Sequence, residues 1–171
     1  FNWNQTGGTT IFGAQVNAGQ TAGRTATLTI SGGSFTQTAG AGFYLGVSGV
    51  GNLLLSNTAS FTVPTLSMGY GNGSSGAMTM TGGTFTSMTT GVSFIAGNAG
   101  SGTATWTQSG GTATFGGQVN VAQSTGTGTV SVSGGSFNQT SGIFYLGVGT
   151  GQATLNVSGT GLVNLNQMHL T

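Results

Sequence analysis

Short alternating segments separated by glycine-rich turns recur along this chain. In Ala26–Phe35, apolar residues alternate with threonine up to a Ser-Gly-Gly turn, and a phenylalanine follows. Gly128–Phe137 repeats this pattern almost residue for residue. Alternation of period two predicts β-strands with one buried face, and Gly-Gly predicts the bend between two strands. No segment of useful length shows a helical period, so the chain is predicted to be all-β.

The turn recurs at nearly constant spacing. Seven units begin near residues 6, 31, 57, 81, 109, 133 and 158, roughly 25 residues apart. Repeats of this length are typical of solenoids, in which each unit forms one coil and equivalent residues stack. We therefore predict a single domain over residues 1–171, folded as a parallel β-solenoid of about seven coils. The alternative is a series of antiparallel hairpins, closed as a barrel or a sandwich, with similar strand lengths.

Aligning the units at their turns places like residues in columns, for example Leu28, Leu54 and Met78, three residues before the turn. These columns predict the core of the solenoid. Its predicted members are Trp3, Leu28, Ile30, Phe35, Leu45, Phe61, Phe85, Ile95, Trp106, Val132, Phe137, Leu146 and Val157. Such a core is narrow, and each buried apolar side chain contributes roughly 1.5–3 kcal/mol to stability.

A longer repeat is superimposed on the short one. The segment Trp3-Asn-Gln-Thr-Gly-Gly returns 103 residues later as Trp106-Thr-Gln-Ser-Gly-Gly. Phe43-Tyr-Leu-Gly-Val likewise returns at Phe144. Four short units therefore form one super-repeat. An inward tryptophan needs a partner for its indole N–H, and the glutamine two residues later can supply it; an aromatic platform for sugar is the alternative role of these tryptophans.

Charge is almost absent from the sequence. Arg24 is the only basic residue, His169 is the only histidine, and there is no Asp, Glu or Cys. No carboxylate is available for acid–base chemistry or for orienting a catalytic histidine. The same composition argues against tight metal sites, thiol chemistry and a nucleic-acid-binding surface. We expect no enzymatic activity and no cofactor, with His169 at the surface and Arg24 in a solvated loop.

Two further expectations concern membranes and glycans. No apolar run reaches the roughly 20 residues of a membrane helix, so no membrane-spanning segment is expected. Four Asn-x-Ser/Thr sequons are candidate glycosylation sites: Asn4, Asn72, Asn138 and Asn156. Glycans are therefore candidate partners, since they would hydrate an otherwise charge-free extracellular protein.

The unit Thr27–Phe35, followed by Leu45-Gly-Val, resembles repeats of bacterial autotransporter-type and other giant surface-exposed passenger proteins. The resemblance covers essentially the whole chain. It implies a right-handed parallel β-helix, export to the cell surface or beyond it, and an adhesive or structural role. β-Helix enzymes of the pectate-lyase type carry acidic calcium ligands and basic catalysts, and this chain has neither.

Two functions follow as expectations. The first is structural: an extracellular solenoid segment or filament subunit that stacks end to end, because both chain ends interrupt the repeat without a polar cap. The second is a surface adhesin that binds carbohydrate or another cell through exposed threonine, asparagine and aromatic side chains.

Overall fold

Three parallel sheets wind along the chain as a solenoid. The computed structural model describes residues 1–39, 42–88 and 91–171. These residues form 21 strands and no helix. Each strand pairs in parallel with the strand three places further along the chain. The predicted all-β parallel solenoid of about seven coils is confirmed, and the hairpin alternative is wrong.

Each coil contributes one strand to each sheet, and the sheets are hydrogen-bonded in coil order. The first sheet contains β1 (Asn2–Gln5), β4 (Thr25–Ile30), β7 (Val50–Leu55), β10 (Ser75–Met80), β13 (Thr103–Gln108), β16 (Thr127–Val132) and β19 (Gln152–Val157). The second contains β2 (Thr9–Phe12), β5 (Ser34–Gln37), β8 (Ser60–Val63), β11 (Thr84–Ser87), β14 (Thr112–Phe115), β17 (Ser136–Gln139) and β20 (Leu162–Asn164). The third contains β3 (Val16–Ala18), β6 (Phe43–Leu45), β9 (Leu66–Met68), β12 (Ser93–Ile95), β15 (Val119–Ser124), β18 (Phe144–Gly149) and β21 (Met168–Leu170).

A glycine with positive φ closes the corner between the first and second sheets. Gly33, Gly111 and Gly135 all have a φ of 74°. A Cβ added to Gly33 would overlap the carbonyl oxygen of Gly8 in the adjacent coil. Glycine alone accepts both this backbone conformation and this close approach without strain. The Gly-Gly turn of the sequence repeat is therefore a corner of the solenoid.

The third coil departs by one residue from the alignment of the sequence repeats. Leu53, and not Leu54, pairs with Leu28 of the second coil and is buried. The turn that follows, residues 56–59, is one residue longer than the Gly-Gly turns, with Asn57 at a φ of 53°. Because side chains alternate along a strand, a shift of one residue exchanges its inward and outward faces. The alignment is therefore wrong by one position for the strand before this turn, whereas Phe61 after the turn pairs with Phe35 as aligned.

Most of the predicted core residues are buried. The buried ones are Leu28, Ile30, Phe35, Leu45, Phe61, Phe85, Ile95, Trp106, Val132 and Phe137. Trp3 and Leu146 are partly buried and pack against this core. Val157 points inward from the seventh coil but is 50% exposed. Its prediction as a core residue is wrong, because the seventh coil is the outermost one and no coil of this chain packs over Val157.

A ladder of phenylalanine rings fills the core behind the second sheet. The Phe35 and Phe61 rings stack with centroids 4.7 Å apart, and Phe85 follows at 6.0 Å from Phe61. In the fifth coil, the position equivalent to Phe85 is occupied by Ala113. Phe115, two residues later on the same face, continues the ladder at 5.1 Å from Phe85.

Trp106 fills the space next to this displaced ring. It makes an edge-to-face contact with Phe85 at 5.2 Å and a tilted contact with Phe115 at 5.5 Å. It also meets Phe137 of the sixth coil edge-on at 5.6 Å. The four-coil super-repeat therefore has a packing basis: the coil in which the phenylalanine is displaced is the coil that carries tryptophan.

Candidate functional site

The two ends of the solenoid are the surfaces most unlike the rest of the molecule. The first end face consists of the inward side chains of coil 1 and is formed mainly by Trp3, Phe12 and Val16. It contains an open apolar depression of about 230 Å³, with Leu28 and Phe35 of coil 2 among the lining residues. An apolar concavity of this kind accommodates an apolar partner.

The same three positions recur inside the molecule, four coils away. Trp106, Phe115 and Val119 of coil 5 are the super-repeat equivalents of Trp3, Phe12 and Val16. In coil 5 they are at most 1% exposed, because coil 4 packs over them. In coil 1 the equivalents are only partly buried. The first end face thus has the composition of an interior contact between two coils.

The tryptophan–glutamine pair differs between these two coils. In coil 5, the indole Nε1 of Trp106 donates a hydrogen bond to Oε1 of Gln108, 3.3 Å away. The predicted pairing of tryptophan with glutamine is therefore confirmed for coil 5. In coil 1, Trp3 Nε1 and Gln5 Oε1 are both buried without a hydrogen-bond partner among the described residues. A buried donor and acceptor left unpaired are a cost to stability.

Both glutamines also bind the corner between the first two sheets. Gln108 Nε2 donates to the carbonyl oxygens of Gly111 and Ser136, at 3.2 and 3.0 Å. Gln5 Nε2 makes the equivalent bonds to Gly8 and Ser34, at 3.3 and 3.0 Å. Each amide thereby links its own coil to the next one. This corner role is not visible in the sequence, since one of the two carbonyl groups that each glutamine binds lies 28 or 29 residues away.

The last end face consists of the inward side chains of coil 7. Val157 is 50% exposed and Leu170 is 73% exposed, although the residues paired with them in coil 6, Val132 and Leu146, are buried or partly buried. Both end faces also present one edge strand of each sheet. The outward backbone N–H and C=O groups of an edge strand are free to pair with a further parallel strand.

Tryptophan does not form the exposed sugar platform considered from the sequence. Trp106 is completely buried, so a ligand cannot stack on its ring. Trp3 is partly exposed, but its exposure is toward the end face and not toward the side of the solenoid.

The structure places the single histidine and the single arginine apart. His169 lies on β21 near the last end face, where its Nε2 accepts a hydrogen bond from Gln167 Nε2 at 2.9 Å. Its ring meets Tyr145 edge-on at 5.2 Å. Arg24 is exposed in the loop before β4, near the first end face. The described residues contain no cluster of three His, Cys, Asp or Glu side chains that could hold a metal.

The four sequons are engaged to different degrees. Asn4 is exposed on β1, and Asn156 is exposed on β19 with its Nδ2 3.4 Å from the Ser131 hydroxyl. The side-chain Oδ1 of Asn72 accepts a hydrogen bond from the backbone N–H of Ser101 at 3.0 Å. Asn138 accepts one from Asn164 Nδ2 at 2.8 Å, between neighbouring coils. Glycosylation at these residues stays a prediction.

Comparison with known proteins finds no family model, curated protein or solved structure that matches the chain. The described residues also contain no helix of the length and apolarity needed to cross a membrane.

Sequence analysis overlooked some residues of the end faces. Phe12 is not among the predicted core residues, yet it lines the first end face. The signal was present, because Phe12 repeats as Phe115 with the super-repeat offset. Leu170 was not recognised at all, since its inward direction follows from pairing with Leu146 and not from a local motif.

Proposed function

We propose that this chain is a structural β-solenoid, a segment or subunit of an extracellular fibre that extends by adding coils to its end faces. One observation carries the proposal. The residues of the first end face are those of the coil 5 surface, which coil 4 covers within the same molecule. A surface that packs against a coil in one place has the shape and chemistry to do so in the other.

The covering coil suggests what the partner of the first end face looks like. Coil 4 offers the inward side chains of Met78, Met80 and Phe85 to coil 5, all completely buried. The last end face offers a similar apolar set in Leu155, Val157 and Val163. An end-to-end contact between two copies would therefore bring together two apolar surfaces and three pairs of edge strands.

The sides of the solenoid also suit a fibre. Outward positions of the first two sheets are mainly Thr, which favours strands, and the small residue Ser. Because the chain has no acid and a single arginine, like residues stack from coil to coil without repelling one another. The extracellular location is supported by the resemblance of the Thr27–Phe35 unit to repeats of surface-exposed passenger proteins.

A variant of the last end face tests the stacking role. In Val157→Lys/Leu170→Lys, two charges stand where a further coil would bury apolar side chains, and burial of an unpaired charge is strongly unfavourable. We expect the parent chain to form end-to-end assemblies in electron micrographs and in sedimentation velocity, and the variant to remain monomeric.

The matched control places a charge on the side of the solenoid. Thr107 is exposed on β13 and points outward, so Thr107→Lys should leave the assemblies intact. A parent chain that stays monomeric at high concentration contradicts the proposal, as does an assembly that survives the double lysine variant. Circular dichroism checks that all three proteins retain their β-structure.

A further inference from the structure

Aromatic residues with polar groups collect on one side of the solenoid. All three tyrosines of the chain and its only histidine lie on or beside the outward side of the third sheet. Strand pairing defines one outward column there: Asn17, Tyr44, Ser67, Phe94, Asn120, Tyr145 and His169. Within the described residues, the outward strand positions of the first two sheets carry no aromatic residue. We call Tyr44, Tyr70, Phe94, Tyr145 and His169 the aromatic row.

The rings of the aromatic row include two contacting pairs. Tyr44 and Tyr70 meet edge to face at 5.3 Å, and Tyr145 and His169 do so at 5.2 Å. All five rings are partly exposed. Ser67, which points outward between Tyr44 and Phe94, is only 4% exposed, and its hydroxyl has no partner among the described residues. An outward serine becomes this buried when the neighbouring side chains lie across it.

An amide cluster interrupts the row in coil 5. Gln118 Nε2 donates to Asn120 Oδ1 at 2.8 Å, and Asn120 Nδ2 donates to Gln123 Oε1 at 2.7 Å. These bonds hold the side chains of Gln118 and Gln123 in place. The amide group of each glutamine keeps one polar atom that Asn120 does not bind. The same arrangement begins in coil 1, where Gln15 Nε2 donates to Asn17 Oδ1 at 2.8 Å. Preorganised amides next to aromatic rings are typical of a binding surface for polar, uncharged ligands.

The aromatic row contains no carboxylate, lysine or arginine side chain. The sequence has no acid, and Arg24 lies in a loop outside the row. Burial, together with the neighbouring Tyr70, raises the pKa of the Tyr44 phenol above its ordinary value, so that this hydroxyl remains a hydrogen-bond donor. Without lysine or arginine in the row, the surface does not compensate the desolvation of an anionic ligand.

We propose that the aromatic row binds a neutral polysaccharide chain laid along the solenoid axis. The flat C–H faces of pyranose rings stack on the aromatic rings, and sugar hydroxyls bond to the amide cluster and the tyrosine hydroxyls. From Tyr44 in coil 2 to His169 in coil 7 is five rungs, or about 24 Å, so a chain of several sugars fits better than a single one. This role goes beyond the structural one and does not depend on stacking.

The super-repeat supports a ligand with repeated contacts. Tyr44 and Tyr145 occupy equivalent positions, and so do the pairs Gln15–Asn17 and Gln118–Asn120. Four rungs separate the members of each pair, which is about 19 Å along the axis. A polymer whose sugars repeat along its length can meet both copies at once, and the second contact is then intramolecular.

Depletion of the protein from solution by insoluble cellulose, chitin and starch tests the proposal. The assay uses the Val157→Lys/Leu170→Lys background, so that binding is measured independently of end-to-end assembly. We expect retention on at least one of the three polysaccharides. Adding Tyr44→Thr and Tyr70→Thr should weaken that retention at least tenfold, because both rings of one stacking position are lost. Tyr44→Trp alone should preserve it, since tryptophan restores an aromatic face.

The matched control removes an outward apolar side chain from another sheet. Leu54 points outward on β7 of the first sheet, and Leu54→Thr should bind like the background protein. The proposal is overturned if none of the polysaccharides retains the protein, or if the two tyrosine substitutions leave retention unchanged. It is also overturned if these substitutions abolish only a side-by-side association of the protein with itself.

Discussion

At the scale of single residues, glycine determines where the chain can turn a corner. The corner glycines combine a positive φ with a neighbouring coil that leaves no room for a side chain. Gly23 has a similar φ of 70° but faces open space. Substituting both kinds of glycine therefore distinguishes the free-energy cost of the backbone conformation from the cost of a steric clash between coils.

We predict that Gly33→Ala destabilises the protein much more than Gly23→Ala. Alanine at Gly23 should cost about 1–2 kcal/mol, the price of a left-handed conformation for a residue with a Cβ. At Gly33 the same cost is joined by overlap with the Gly8 carbonyl, which belongs to the backbone and cannot turn away. Urea unfolding of both variants gives the comparison, and equal losses in the free energy of unfolding would refute the clash.

At the scale of elements, the phenylalanine ladder joins successive strands of the second sheet through their side chains. Its members come from different columns of the sequence alignment, because Phe115 replaces the ring that Ala113 lacks. The phenylalanine rings of the ladder therefore fill the space in the core, even where they do not occupy equivalent positions in the aligned repeats. Trp106 completes this compensation from the first sheet.

A substitution in the middle of the ladder should be costly. Phe61 is completely buried between Phe35 and Phe85, and Phe61→Ala should lower the free energy of unfolding by about 3–5 kcal/mol. Thr62, the next residue of the same strand, points outward, and Thr62→Ala is the control, with an expected loss below about 1 kcal/mol. Chemical denaturation measures both, and a small loss for Phe61→Ala would mean that neighbouring rings close the cavity.

At the scale of the whole molecule, stability comes from packing and backbone hydrogen bonds and owes very little to charge. The chain contains one arginine, one histidine and no acid, so ion pairs between side chains are impossible. Without like charges on adjacent coils, there is also no repulsion along the axis for salt to relieve.

Stability should consequently be insensitive to salt. Between ionic strengths of about 0.01 M and about 0.15 M, the Debye length falls from roughly 30 to 8 Å, which is enough to change surface electrostatics. We expect the free energy of unfolding to change by less than about 0.5 kcal/mol over this range in sodium chloride. A clear trend in thermal or urea unfolding would point to charge interactions that the composition does not provide.

The sequence by itself determined the all-β class, the repeat length and the super-repeat. These follow from local rules: side chains alternate along a strand, and tight corners require glycine. The outward direction of Tyr44 is likewise local, because it stands between the inward residues Phe43 and Leu45.

Only the tertiary structure decided which residues meet between coils. It grouped the strands into three sheets, placed Leu53 in the core instead of Leu54, and left Val157 exposed on an end face. It also brought Tyr70 and Phe94 into one row with Tyr44, although the three residues belong to three different coils. Loop lengths set the register between coils, and one inserted residue exchanges inside and outside, so these contacts depend on how each corner folds.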